Sequence, residues 1–115
     1  MAQKKCAKVI NEITLDGRNR LGISFILLTE FYAGAGPEEN RMLNKWVGSA
    51  ELDVFFLDHV SIARQAGELR KNDLLSFADA IILAHAMALK ATLLTFDADF
   101  ERRATHYAKT LDLNK

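Results

Sequence analysis

Ser76–Phe100 reads SFADAIILAHAMALKATLLTFDADF, and it sets the architecture of the whole chain. Residues 77–89 are almost entirely apolar, long enough for three to four helical turns, and are introduced by Ser76, a good N-cap residue. Thr92–Phe96 (TLLTF) is short and rich in β-formers, so it predicts a strand. Acids are attached to both elements. Asp79 stands in the first turn of the helix, and Asp97 and Asp99 follow the strand. Unpaired charge is costly to bury. Carboxylates fixed at the ends of buried elements therefore suggest a bound cation.

Working outward, residues 3–14 place Cys6 or Ala7, Val9, Ile10 and Ile13 at helical spacing, with Lys4, Lys5, Lys8 and Glu12 outward. This is the pattern of an amphipathic helix, which Asp16-Gly17 ends as a turn. Leu21–Phe25 predicts a strand and Ile26–Ala35 a helix carrying Glu30, closed by Gly34 and Gly36. Pro37 suits the first turn of a further helix, where its missing N–H has no intrahelical partner to lose. Glu38 and Glu39 complement the positive end of that helix, and Met42, Leu43, Trp46 and Val47 are its expected buried stripe. Leu52–Leu57 predicts a strand, followed by a helix over 59–71 with Asp58 as N-cap. A last helix is expected over Glu101–Leu111. Strands separated by helices imply a single α/β domain over 1–115, with three α/β/α layers around a parallel sheet. Sites in such sheets form at the carboxyl ends of the strands. Glu30, Asp97 and Asp99 follow strands, and Asp79 would reach the same edge from a helix start.

Each acid also has a plainer reading. Ser76-x-x-Asp79 fits a capping box, yet the flanking Ala78, Ala80, Ile81 and Ile82 leave Asp79 little solvent-facing surface. Glu30 could be an exposed helical residue, although LLTEFY has apolar side chains on several sides. Asp97 and Asp99 could cap a helix near Phe100. Their combination at one sheet edge carries the weight. Carboxylates without cysteine or clustered histidine select hard cations, Mg²⁺ or Mn²⁺, over zinc. His85 lies six residues beyond Asp79, about 240° round the helix, and does not share its face.

Half the residues are hydrophobic, enough for a real core, and fifteen basic residues balance fifteen acidic ones. Bulk charge thus gives no sign of a nucleic-acid partner. Local clusters such as Arg18 with Arg20 or Arg102 with Arg103 read first as solvated surface. Cys6 is the single cysteine, which excludes an intrachain disulfide and agrees with a cytoplasmic location. No segment has the length of a membrane span, and the start lacks a signal-peptide pattern. No P-loop, GxGxxG, GxSxG, HExxH or CxxC pattern occurs, which argues against nucleotide-cofactor enzymes, serine hydrolases and zinc proteins.

Three segments resemble a PIN domain of the kind found in VapC-type toxins. ISFILLTEFYAGA resembles that family's strand and glutamate-bearing helix. LDVFFLDHVSIARQAGELR resembles the intervening strand and helix. FADAIILAHAMALKATLLTFDADF resembles its aspartate-bearing helix, strand and acidic loop. The resemblance implies a Mg²⁺- or Mn²⁺-dependent ribonuclease. Glu30, Asp79 and Asp97 fall on catalytic, metal-binding acid positions, Asp99 on an auxiliary metal-binding one, and Thr95 on the hydroxyl position before the last acid. It also implies an RNA substrate, a homodimer and a small antitoxin partner. One part of the pattern is not matched. The family begins with a central strand ending in an aspartate, whereas this sequence starts at what resembles the first helix, with no acid before Glu12. The expected fold is therefore PIN-like without its first central strand, leaving two strands without a shared neighbour. The alternative function is a catalytically incomplete PIN-like interaction protein that pairs with an antitoxin or another PIN chain. In a third reading, an unrelated α/β fold, the acids are only caps.

Overall fold

The computed structural model describes residues 21–49, 52–55, 59–95 and 97–112. The amphipathic helix expected over 3–14, the turn at Asp16-Gly17, the basic residues of the first twenty positions and Asp58 lie outside them. The elements run β1 (Leu21–Ser24), α1 (Phe25–Gly34), α2 (Pro37–Val47), β2 (Leu52–Phe55), α3 (Val60–Asp73), α4 (Phe77–Leu89), β3 (Leu93–Thr95), α5 (Ala98–Ala104) and β4 (Thr110–Asp112). The fold is helix-rich α/β with parallel strands, as the alternation of apolar runs predicts. The described elements fall into two compact units, the first carrying β1 to β2 and the second α3 to β4.

In the first unit β1 and β2 pair in parallel, with Leu21 opposite Leu52 and Ser24 opposite Phe55. Gly22 lets the Phe55 ring lie against the β1 backbone: a Cβ at this position would overlap the ring, which would have to move. Ser24 ends β1 and caps α1, its Oγ accepting from Ile26 N at 3.3 Å. Tyr32 Oη donates to Asn44 Oδ1 at 2.7 Å and ties α1 to α2. At the start of α2, Glu39 Oε2 accepts from Gly36 N at 2.6 Å, satisfying a donor that the helix cannot use. The stripe expected to be buried on α2 is not buried. Met42 is 63% exposed and Val47 is exposed, while Leu43 and Trp46 are half-buried. Helical spacing fixes which residues share a face, but not whether another element covers it.

In the second unit α3 packs along α4, and α4 supplies most of the core. Ala80, Ile81, Ile82, Leu83, Ala84, His85 and Ala86 are all buried. Burial around the whole circumference explains why this helix has no polar stripe. Leu69 of α3, Leu93 of β3 and Phe100 of α5 complete the packing. His59, not Asp58, caps α3: its Nδ1 accepts from Ser61 N at 3.1 Å. The helix also runs two residues beyond the expected 71 and is ended by Leu74, whose left-handed conformation (φ 55°) breaks the helical path while its N–H still bonds Arg70 O.

The largest departure lies at the end of the second unit. The helix expected over 101–111 is replaced by the shorter α5 and the strand β4. Thr105 terminates α5, with its Oγ1 donating to Glu101 O at 2.8 Å. Thr110 Oγ1 donates to Glu101 Oε1 at 2.7 Å and folds the chain back. Strand β4 then pairs in parallel with β3, Leu93 opposite Thr110. Two contacts fix this return on the end of α3. Arg103 Nη1 donates to Asp73 O at 2.9 Å, and Tyr107 Oη donates to Asp73 Oδ2 at 2.5 Å. That bond and the nearby carboxylate charge hold the Tyr107 phenol above its ordinary value. The protonated phenol is the form that donates. The link therefore persists through neutral pH and is lost only as pH rises past the phenol range, above about 10. The strands form two separate pairs, β1 with β2 and β3 with β4. No described strand joins them, in agreement with the expected loss of a shared neighbour.

Candidate metal-binding acids

Three of the four acids singled out from the sequence belong to the second unit. Asp97 is the N-cap of α5. Its Oδ1 accepts from Asp99 N at 3.0 Å and from Phe100 N at 3.1 Å. Its own N–H donates to Thr95 Oγ1 at 3.0 Å. Backbone and side chain are thus both fixed as the chain leaves β3, and Thr95 acts as the positioning hydroxyl. Both cap bonds use Oδ1, and Oδ2 takes part in neither. Asp97 is exposed.

Asp79 stands in the first turn of α4 and is half-buried, as its apolar neighbours predict. Its N–H donates to Ser76 Oγ at 3.1 Å, which is the Ser76 half of the expected capping box. An acid in this turn is favoured by the positive end of the helix.

Asp99 is differently placed. Its carboxylate pairs with Arg102, three residues on, and with Arg103 Nε at 3.3 Å, four residues on. Sequence reading treated the two arginines as surface. The i, i+3 and i, i+4 spacing is the signal that identifies them as partners of Asp99. Ligating a cation through Asp99 requires these pairs to loosen.

Glu30 belongs to the first unit. It lies in the middle of α1 and is exposed, the plainer of its two readings. The apolar side chains of LLTEFY lie around it in sequence, but only Leu28 among them is buried. His85 is buried on α4, about 240° round the helix from Asp79.

Glu30, Asp79 and Asp97 offer only carboxylate oxygens, which suits a hard divalent cation. Among the described residues no three histidine, cysteine, aspartate or glutamate side chains stand together as a metal site.

The double role read for Asp97 is testable through stability. Asp97→Asn keeps an Oδ1 acceptor and is expected to leave the unfolding midpoint nearly unchanged. Asp97→Ala removes both cap bonds and is expected to cost about 1–2 kcal/mol. Urea unfolding followed by circular dichroism compares the two. Equal destabilisation by both substitutions would contradict the cap.

The PIN domain family model matches residues 2–105, and the chain belongs to that family. Among solved structures, the 2.2 Å structure of VapBC-1 from nontypeable Haemophilus influenzae shares the fold. Its TM-score is 0.64 at 23% identity, over 94% of this chain and 87% of that one. No curated protein matches the chain.

Proposed function

We propose that this chain is a metal-dependent ribonuclease, the toxin component of a toxin–antitoxin pair. The observation that carries this reading is the placement of Asp79 and Asp97 in a chain of the PIN family. Each stands at the start of a helix, and the backbone N–H of each donates to a hydroxyl two or three residues before it, Thr95 or Ser76. These bonds fix the backbone from which each carboxylate projects, and the Asp97 carboxylate is further oriented by the Asp99 and Phe100 N–H groups, the kind of support a metal ligand needs. In this reading Glu30, Asp79 and Asp97 hold Mg²⁺ or Mn²⁺, with Asp99 auxiliary. A bound ion would supply charge compensation at a phosphodiester and would lower the pKa of a water. The water oxygen bonds to phosphorus, the bond to the leaving ribose oxygen breaks, and that oxygen takes up a proton. Of the acids, Asp97 is best fixed to direct such a water, because its carboxylate is already oriented by two backbone donors.

RNA as the substrate, an antitoxin as partner and a homodimer as the working state follow from the VapC-type resemblance, which the likeness to VapBC-1 supports. Among the described residues no helix is long and apolar enough to cross a membrane. We place the protein in the cytoplasm on the same resemblance.

One observation favours a second reading. Asp97 and the Ser76–Asp79 turn both serve as helix caps, and no three acids gather among the described residues. In that reading the chain is a PIN-like interaction protein that binds an antitoxin or another PIN chain and cleaves nothing. Metal removal separates the two. The nuclease reading expects labelled single-stranded RNA to be cut in Mn²⁺, spared in EDTA, and cut again when Mn²⁺ is restored in excess. Intact RNA under all three conditions, with a stable complex by size-exclusion chromatography, would select the interaction protein.

A further inference from the structure

Phe77 opens α4 with 59% of its surface exposed, and the Arg70 guanidinium lies over its ring, 5.7 Å from the centroid. Beside them Leu74 is 81% exposed and holds its left-handed backbone conformation. Lys71 adds a second exposed cation on the last turn of α3. Among the described residues neither Arg70 nor Lys71 pairs with a carboxylate. An exposed ring already engaged by a guanidinium, with a further exposed cation on the same helix turn as that arginine, has the composition of a surface for single-stranded nucleic acid. Bases stack on such rings, and the cations offset the phosphates. Positive charge over the ring, from Arg70, favours a polyanion over an apolar protein surface.

We propose that Phe77 stacks a base of the RNA substrate while Arg70 and Lys71 engage its backbone. The choice of RNA as occupant rests on the nuclease reading. Phe77 and Asp79 share the first turn of α4 but lie about 200° apart round it. The ring therefore stands on the other side of the helix start from the acid. Its role is to hold the strand, not to carry out the chemistry.

Fluorescence anisotropy in EDTA, where no metal-dependent cleavage occurs, tests this on the full chain with a labelled oligouridylate and an abasic ribose-phosphate strand of equal length. Phe77→Ala is expected to weaken oligouridylate binding by about tenfold, the scale of one base–aromatic stack, and to leave the abasic strand unaffected. Phe77→Trp is expected to retain binding, and Arg70→Gln to weaken both strands. Unchanged oligouridylate binding by Phe77→Ala overturns the proposal. So does a wild-type chain that binds neither strand, or a dimer that becomes monomeric in Phe77→Ala while RNA binding persists, which would make the patch a contact between copies. Cleavage in Mn²⁺ by wild type, with binding indifferent to Phe77, removes the stacking surface and leaves the nuclease. Phe77-dependent binding without any cleavage in Mn²⁺ removes the nuclease and leaves the surface.

Discussion

Asp79→Asn is expected to reduce Mn²⁺-supported RNA cleavage by about a thousandfold. A metal ion at a phosphoryl centre contributes several kcal/mol of transition-state stabilisation, and each 1.36 kcal/mol is about tenfold in rate. The substitution removes charge without removing shape. The bond from the residue 79 N–H to Ser76 Oγ belongs to the backbone and survives. The favourable interaction of the carboxylate with the helix start is lost, about 0.3–1 kcal/mol. Cleavage should therefore collapse in a variant that still unfolds cooperatively on heating. Asp99→Asn is the useful companion, because Asp99 already spends its charge on Arg102 and Arg103. Its effect on rate should be far smaller than that of Asp79→Asn. Equal rates for wild type and Asp79→Asn, measured on the same RNA at saturating Mn²⁺, would remove this acid from the site.

The second large effect concerns stability. Leu83→Ala is expected to destabilise the protein by about 3 kcal/mol, within the range for Leu→Ala in a packed core. Leu83 has no exposed surface, and its neighbours in sequence, Ile82 and Ala84, are buried too. The helix cannot turn to close the cavity without exposing another apolar side. Met42→Ala, on the open face of α2, serves as the control and should stay within about 0.5 kcal/mol. Calorimetry on the two variants compares them directly. A melting point for Leu83→Ala within a degree or two of wild type would show that the core closes over the gap.

Much of this fold was legible because α4 declares itself. Its apolar run, its Ser76 cap and the following Leu93–Thr95 leave little choice of element, and the helix spans the expected 77–89. Pro37 marks the start of α2 equally well, since a proline at the first helical position loses no hydrogen bond. The chain after Phe100 was misread for a definite reason. Ala104, Ala108 and Leu111 recur at helical spacing, so 101–111 passes for one continuous helix. What stops it is a set of side-chain bonds among Glu101, Thr105 and Thr110, together with a three-residue strand that owes its existence to β3. A strand that short carries no periodic signal of its own. Similarly, Asp58 is the expected cap by residue type, and the ring nitrogen's bond to Ser61 N, which gives the role to His59, has no signal in composition.

The candidate site was legible by residue type and order more than by local role. The sequence allowed Asp97 to be either a cap or a ligand, and the structure makes it a cap with one oxygen to spare. It allowed Glu30 to be sheltered, and the structure leaves it exposed. Asp79 kept both of its expected properties, partial burial and attachment to Ser76. Which other side chains approach a residue from distant sequence is a tertiary property, and periodicity has no access to it.

The pairing of β3 with β4 also constrains how the molecule is made. During synthesis the apolar α4 leaves the ribosome well before Thr110, yet β3 gains its described parallel neighbour only when residues 110–112 arrive. Asp73 likewise waits for Tyr107 and Arg103. For that interval a greasy helix and an open strand edge exist together on a nascent polypeptide, the combination most prone to association with other chains. Ribosome-stalled intermediates ending between β3 and β4 are where chaperone capture of this protein should concentrate.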